Sequence, residues 1–153
     1  MIAVDTNILV YAHREDSPFH APAAECMIAM AEGAADWIIP WPCVHEFLAI
    51  VTHPRIYAPP TPMADALAQL DAWMESPSLV LLAESVGYWP VLRDALIRAR
   101  IAGPMVHDAR IAALCRQHGV RELWSADRDF GRFPGVNVVN PLIGKASGRE
   151  ATP

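Results

Sequence analysis

The sequence predicts an α/β fold with a mainly parallel sheet of about five strands and helices on both faces. Two observations support this prediction. Short apolar runs of strand length alternate with longer segments whose apolar residues recur at helical spacing. The predicted strands are separated by helices rather than by tight turns, and parallel strands require such crossover connections. The expected architecture is therefore Rossmann-like, with three layers.

The first strand and helix are predicted at the amino terminus. The apolar run at 2–4 predicts a strand, and the apolar character continues through 8–12. Ser17-Pro18 then offers an N-cap and a first-turn proline for a helix that ends near Gly33. A second buried strand is predicted at 37–39.

Two more helices are predicted before the middle of the chain. One begins at Pro42 and ends at His53-Pro54, because proline cannot continue a helix. Its apolar stripe consists of Val44, Phe47, Leu48 and Val51. The other is capped by Thr61-Pro62 and closes at Ser76-Pro77. Its apolar side consists of Ala66, Leu67, Leu70 and Trp73.

The second half of the chain repeats the alternation of strands and helices. The run at 79–82 is wholly apolar and predicts a fully buried strand. Helices are predicted at 88–101, ended by Gly103-Pro104, and at 105–118, where Gly119 is suited to end the helix.

The last two strands are predicted at 123–125 and 136–139. They complete the sheet, so residues 1–143 are expected to form one domain. The small and polar residues at 144–153 are expected to form a flexible tail.

Composition restricts the classes of function. The net charge of −5 argues against a strongly basic nucleic-acid-binding surface. Eight of the eleven Arg residues lie between Arg93 and Arg132, which indicates either a local basic rim or ordinary charged helix faces. No uncharged apolar stretch reaches the roughly 20 residues of a membrane span, and Met1 leads into a strand without a basic signal segment. We therefore expect a cytoplasmic protein with no membrane contact.

Cysteine and histidine patterns do not indicate zinc or disulfides. The three cysteines lie in apolar helical patterns, at Cys26, Cys43 and Cys115. Their odd number and apolar setting predict reduced residues that pack in the core. His45 and Glu46 begin an HExxH pattern, but Ala49 occupies the position of its second histidine.

Four acidic residues lie far apart in the chain, each in or beside an apolar segment: Asp5, Glu46, Asp108 and Asp127. Asp5 and Asp127 follow predicted strands, so they meet if those strands are neighbours where the strand order reverses. Buried carboxylates are unfavourable unless they are paired or bind a metal. A cluster of these residues therefore predicts a hard divalent cation, Mg²⁺ or Mn²⁺.

Simpler interpretations of the acidic residues stay open. Asp5 is suited to be a helix N-cap, and Asp108 to lie at the positive end of a helix. A receiver-type phosphoacceptor also places aspartates at the edge of an α/β sheet. Such a domain needs a lysine, and the only lysine is Lys145, in the predicted tail.

Four segments together resemble a PIN domain, specifically a VapC-type toxin ribonuclease: Val4–Asn7, Glu46, Val106–Ala109 and Ser125–Phe130. The resemblance covers residues 1–143. It implies an RNA endonuclease that depends on Mg²⁺ or Mn²⁺, forms a homodimer and is inhibited by a cognate VapB-type antitoxin. Apolar grooves between the first helices and the segment at Pro59-Pro60 are candidate sites for the antitoxin.

The resemblance also implies roles for individual residues. The acidic set of the family falls on Asp5, Glu46, Asp108 and Asp127, and its supporting polar positions fall on Asn7, Ser125 and Asp129. By this hypothesis Asp5 and Asp108 bind a metal directly, and Asp127 helps to hold it or a second ion. Glu46 binds or orients the attacking water.

Two alternatives to an RNA endonuclease remain within the same fold. One is a non-catalytic PIN-like module that binds RNA or a peptide. The other is a structure-specific DNA nuclease, which is disfavoured because the chain has no insert that could clamp a flap.

Overall fold

Strands and helices alternate along the chain in the computed structural model, which describes residues 1–143. The tail predicted at 144–153 lies outside the described residues. In order, the elements are β1 (Ile2–Val4), α1 (Thr6–His13), α2 (His20–Glu32), β2 (Trp37–Pro40), α3 (Trp41–Val51), α4 (Met63–Met74), β3 (Leu79–Leu82), α5 (Tyr88–Arg98), α6 (Val106–Gln117), β4 (Glu122–Trp124) and β5 (Asn137–Val139). Short 3-10 turns at Gly103–Met105 and Arg128–Arg132 complete the described secondary structure.

The strands form one parallel sheet in the order β3-β2-β1-β4-β5. β1 is the central strand, where Ala3 pairs with Ile38 of β2 and with Leu123 of β4. The chain runs outward from β1 to β3 and then returns to β4 on the other side of β1. The strand order therefore reverses between β1 and β4, and the predicted α/β fold is confirmed.

The helices form two groups that follow from this topology. α1 contacts α2 and α3, and α3 contacts α4, whereas α5 packs on α6. Crossovers between parallel strands are right-handed, so connections that run in opposite directions along a sheet cover opposite faces. The first group therefore covers one face and the second group covers the other.

Large apolar side chains fill the space between the sheet and the helices. The largest fully buried aromatic side chains are Trp37, Phe47, Phe130 and Phe133. Cys43 and Cys115 are buried as predicted, and Cys26 is half-buried on α2. Within the described part of the chain, no helix has the length and apolar character needed to cross a membrane.

The first helical region departs from its prediction. The apolar segment at 8–12, which was not assigned to an element, belongs to the separate helix α1. α2 begins at His20 rather than at Ser17-Pro18. The Ser17 hydroxyl accepts a 3.1 Å hydrogen bond from the backbone N–H of Phe19, so this serine stabilises the turn before α2 instead of capping the helix.

Two apolar assignments were also wrong. β3 was predicted to be fully buried, but it is an edge strand, and Val80 is 37% exposed. Leu67 was placed on the buried side of α4 and is 46% exposed. A wholly apolar run cannot distinguish a central strand from an edge strand, because neighbours in the sheet are set by the topology of the chain.

The ends of α4 and α6 illustrate the use of helix caps. Pro62, rather than the Thr61 side chain, occupies the N-cap of α4, and the Thr61 hydroxyl contacts His13 and Arg14 instead. α6 ends as predicted, because Gly119 has a φ of 69°, a left-handed conformation that favours glycine.

Candidate active site

A cleft of about 320 Å³ opens beside the carboxyl ends of β1 and β4. Its lining residues are Asp5, Thr6, Asn7, Val10, Tyr11, Glu46, Ile50, Tyr57, Asp108, Asp127 and Phe130. All of the acidic residues predicted to cluster therefore line the same cleft. The cleft lies where the strand order reverses, which is where ligands bind in open α/β sheets.

Asp5 lies at the bottom of the cleft, where it is only 4% exposed. Its Oδ1 accepts a 2.8 Å hydrogen bond from the backbone N–H of Thr6, which makes Asp5 the N-cap of α1. Its Oδ2 accepts hydrogen bonds from the Ser125 hydroxyl at 2.7 Å and from the Asn7 amide at 2.9 Å. The N-cap interpretation and the cluster interpretation of Asp5 are thus compatible.

Burial raises the pKa of Asp5 from 3.8 to about 7. Hydrogen bonds from Ser125 and from the Thr6 backbone lower the pKa, and the nearby carboxylates of Glu46 and Asp108 raise it further. Desolvation disfavours the charged form of a carboxyl group, and hydrogen bonds to the anion offset only part of that cost. A cation in the cleft would favour the ionised form.

Glu46 lies on α3 and lines the cleft together with Asp5. Its Oε2 accepts a 2.8 Å hydrogen bond from the Thr6 hydroxyl. Thr6 is buried, and no sequence pattern predicted a role for it in the site. The position of Thr6 directly after Asp5 could have suggested a role in the site. Its hydrogen-bond partner, Glu46, could not be predicted, because it lies 40 residues away in the chain.

Asp108 lies in the first turn of α6, as its helical pattern indicated. Burial raises the pKa of Asp108 from 3.8 to about 6, and the carboxylates of Asp127 and Glu46 raise it further. Asp108 therefore lies both at the positive end of α6 and in the acidic cleft.

Asn7, in the first turn of α1, and Ser125, in the loop that follows β4, connect the ends of β1 and β4. The Asn7 side chain donates to Ser125 Oγ at 3.0 Å and accepts from the backbone N–H of Ala126 at 3.1 Å. Ser125 Oγ also accepts from the backbone N–H of Asp127 at 3.0 Å. These contacts hold the Asp127 segment against Asp5.

Asp127 and Asp129 differ in their positions. Asp127 lines the cleft, and its Oδ1 accepts a 2.8 Å hydrogen bond from the backbone N–H of Asp129. The side chain of Asp129 is 55% exposed, lies 4.0 Å from Arg132, and is not one of the lining residues. Asp129 therefore contributes through its backbone to the turn at Arg128–Arg132.

Apolar and aromatic residues form the remaining wall of the cleft, which the sequence patterns did not predict. They are Val10, Tyr11, Ile50, Tyr57 and Phe130. They come from α1, α3, the loop after α3 and the turn after β4. Only the packing of these elements brings them beside the carboxylates.

The side chains of the cleft suit a hard cation by their chemistry. The lining residues include four carboxylates and, within residues 1–143, no Lys or Arg. As they are placed, no three His, Cys, Asp or Glu side chains of the described chain form a group ready to hold a metal ion. This arrangement fits Mg²⁺ better than zinc, because Mg²⁺ is bound through one or two carboxylates and keeps several waters.

Several arginines between Arg93 and Arg132 pair with acidic residues and do not line the cleft. Arg98 and Arg116 both contact Asp94, and Arg110 contacts Glu84. These pairs favour the interpretation of charged helix faces for these arginines.

The fold and the cleft define an α/β domain with an acidic site at the reversal of strand order. The family model of the PIN domain matches residues 2–136. Ribonuclease VapC48 of Mycobacterium tuberculosis is 32% identical over 140 residues, which cover 92% of this chain and 97% of that protein. The chain therefore belongs to the PIN domain family, and its resemblance to the VapC-type members is confirmed.

Solved structures share the fold at lower sequence identity. The crystal structure of VapC20 of M. tuberculosis, described as a toxin that cleaves the Sarcin-Ricin loop, has a TM-score of 0.65 at 16% identity and covers 89% of this chain and 98% of that one. The structure of VapBC2 from Rickettsia felis, bound to a DNA fragment from its promoter, has a TM-score of 0.63 at 19% identity and covers 91% and 98%.

Proposed function

We propose that this protein is an endoribonuclease that depends on Mg²⁺ or Mn²⁺ and acts as the toxin of a toxin–antitoxin pair. The observation that carries the proposal is the convergence of four carboxylates from separate elements in one cleft that no Lys or Arg of residues 1–143 lines. Such a concentration of negative charge is unfavourable without a cation. The ribonuclease names of the VapC relatives support the choice of RNA as the substrate.

The metal-binding roles that we propose for the carboxylates are those that the resemblance to the family implies. We assign direct metal binding to Asp5 and Asp108, and Asp127 helps to hold the same ion or a second one. A Mg²⁺ or Mn²⁺ ion held by these residues would supply Lewis-acid chemistry, which activates water for attack and stabilises negative charge on the phosphate.

The other residues of the site orient the attacking water and the metal-binding carboxylates. Glu46, held by the Thr6 hydroxyl, accepts a hydrogen bond from the attacking water and orients it. Ser125 and Asn7 hold the Asp5 carboxylate in one orientation through hydrogen bonds to Oδ2. Asp129 supports Asp127 through its backbone N–H.

The partners of the protein belong to the same proposal. We assign an antitoxin of the VapB type, and the VapBC2 complex of R. felis supports this assignment. The protein forms a homodimer and acts in the cytoplasm, where its RNA substrate is found.

A cleavage assay tests the proposed function directly. Purified protein is incubated with end-labelled RNA in Mg²⁺, in Mn²⁺ and in excess EDTA, and the Asp108→Asn variant serves as the matched control. We expect fragments only with wild-type protein and a divalent ion. Equal cleavage by Asp108→Asn, or cleavage in EDTA, would contradict the assignment.

A non-catalytic module that binds RNA or a peptide is the second candidate. One observation favours it, namely that the acidic side chains of the described residues do not form a group ready to hold a metal as they are placed. This candidate predicts RNA or peptide binding without any fragments in the same assay. A gel-shift measurement beside the cleavage assay separates the two functions.

A further inference from the structure

Tyr57 forms part of the wall of the acidic cleft. It lies in the loop between α3 and α4, is half-buried, and lines the same cavity as Asp5, Glu46 and Asp108. None of the proposed roles in hydrolysis involves this residue. An RNA strand that is held in this cavity for cleavage would therefore have the Tyr57 ring beside it.

Arg14 holds the ring of Tyr57 from behind. The guanidinium carbon of Arg14 lies 4.0 Å from the centre of the Tyr57 ring, a cation–π contact. Arg14 also donates hydrogen bonds to Asp16 Oδ1 at 2.9 Å and to the Pro59 carbonyl at 3.1 Å. The charge of Arg14 is already balanced by Asp16, so Arg14 is not free to bind a phosphate of the substrate. Its contacts serve to fix the ring.

The loop that carries Tyr57 is tied down at both ends. The backbone N–H of Tyr57 donates to the His53 carbonyl at 3.1 Å, and the N–H of Thr61 donates to the Val51 carbonyl at 2.7 Å. The Thr61 hydroxyl accepts from Arg14 at 3.2 Å and contacts His13 Nε2 at 3.2 Å. The ring is therefore held in place before any ligand binds, which reduces the entropy lost on binding.

Of the two other aromatic residues that line the cleft, Phe130 is buried and Tyr11 already packs against another aromatic ring. Phe130 is 2% exposed, and the ring of Tyr11 packs 5.1 Å from that of Phe19. Tyr57 has one face against Arg14 and also lines the cleft, so the surface left for a ligand is the one away from Arg14.

We propose that Tyr57 is a stacking platform for an unpaired nucleobase of the RNA in the cleft, and that Arg14 is the positioning residue behind it. This inference rests on the proposed endoribonuclease function. Unpaired RNA bases are recognised by stacking on aromatic side chains. Stacking accepts any base, because every base has a π face, so Tyr57 sets where the strand lies rather than which base it carries.

The test combines a protein change with removal of one base. A set of single-stranded oligoribonucleotides carries an abasic site at each successive position, and kcat/KM is measured for each in Mg²⁺. With wild-type protein, we expect one position near the cut at which base removal lowers kcat/KM by roughly 5- to 100-fold. Tyr57→Leu should lower kcat/KM on intact RNA by the same factor. Removal of the base at that position should then cause no further loss in this variant.

Matched variants separate stacking from general damage. Tyr57→Phe keeps the ring and should restore the dependence on the abasic position that Tyr57→Leu loses. Arg14→Gln should lower kcat/KM on intact RNA. It should also reduce the effect of base removal, but only at the position that Tyr57 contacts. A general loss of stability would not produce this dependence on position. Tyr88→Leu removes a tyrosine outside the cleft lining and should retain the full wild-type dependence on the abasic position.

Other outcomes overturn the proposal. Independent, multiplicative losses from Tyr57→Leu and from base removal would mean that the two groups do not touch. Normal cleavage by Tyr57→Leu with loss of inhibition by the antitoxin would assign the aromatic wall to the protein partner. If Tyr57→Leu fails to fold, 2-aminopurine at the sensitive position gives a direct measurement, and unquenched fluorescence in the wild-type complex refutes stacking.

The two proposals fail in different ways. If wild-type protein cleaves none of the oligonucleotides in Mg²⁺ or Mn²⁺, the endoribonuclease function fails, and the role of Tyr57 fails with it. If wild-type protein cleaves and Tyr57→Leu is unaffected, only the stacking role is overturned.

Discussion

The Ser125 hydroxyl donates a 2.7 Å hydrogen bond to Asp5 Oδ2 and so joins residues 120 positions apart in the chain. The contact crosses from the end of β4 to the end of β1, the pair of strands between which the order of the sheet reverses. Asn7 donates to both of these side chains. The orientation of the most buried carboxylate therefore depends on the pairing of two strands distant in sequence.

Replacing Asp5 or Asp108 with Asn should abolish RNA cleavage and spare the fold. Asn is nearly isosteric with Asp but carries no negative charge, so it binds Mg²⁺ more weakly and supplies less charge to the site. The measurements are single-turnover cleavage rates and circular dichroism. Asp71→Asn on the exposed face of α4 is the control and should cleave like the wild type. A fully active Asp5→Asn or Asp108→Asn variant would refute the assignment of that residue.

The stability of the metal-free protein should fall as the pH rises from about 4 to about 7. The pKa of Asp5 is raised from 3.8 to about 7 in the folded state, so the unfolded chain releases its proton first. Ionisation then favours unfolding throughout this interval, by up to about 1.4 kcal/mol per pH unit for one group. Asp108, with its pKa raised to about 6, acts in the same direction at lower pH.

Denaturant unfolding in EDTA at several pH values measures this dependence. Asp5→Asn removes the titrating group, so its free energy of unfolding should vary less with pH and should exceed that of the wild type near pH 8. If the free energy of unfolding of the wild type instead rises relative to that of Asp5→Asn between about pH 4 and pH 7, the raised pKa of Asp5 is contradicted.

Mg²⁺ should raise the melting temperature more at pH 8 than at pH 5. Protons and the cation compete for the same carboxylates, and a ligand stabilises the folded state only to the extent that it binds there. Thermal unfolding with and without Mg²⁺ measures the effect. Asp5→Asn should lose most of the Mg²⁺-dependent shift, and an equal shift at both pH values would argue against binding through Asp5.

Thr6→Val should lower kcat by about tenfold and leave KM nearly unchanged. The substitution keeps the shape of a buried side chain and removes the hydroxyl that binds Glu46 Oε2 at 2.8 Å. Glu46 would then hold the attacking water less well. Thr6→Ser keeps the hydroxyl and should restore most of the rate. If Thr6→Val retains full kcat, the contact does not orient Glu46 for catalysis.

Ser125→Ala should lower the free energy of unfolding by about 1–3 kcal/mol. Ser125 is 1% exposed, and its loss leaves the Asn7 amide and the Asp127 backbone N–H without this acceptor. Chemical denaturation measures the change. Ser85→Ala alters an exposed serine and should change the stability by less than about 0.5 kcal/mol, so comparable losses in both variants would exclude a special role for Ser125.

Local rules predicted most of the elements and singled out the acidic residues of the site. Apolar runs and helical periodicity identify most strands and helices because they report which side of an element is buried. They failed at Ser17 and Thr61, where the expected capping side chains bond elsewhere. The choice between a helix cap and a turn depends on neighbours that the local sequence does not contain.

The sequence by itself determined that the four carboxylates lie in or beside apolar elements and that the sheet is built from parallel strands. Only the tertiary structure decided that β1 and β4 are neighbours, that Thr6 meets Glu46, and that Tyr57 completes the wall of the cleft. Periodicity is set by the geometry of one element, whereas these contacts depend on how crossovers of tens of residues return the chain to the sheet.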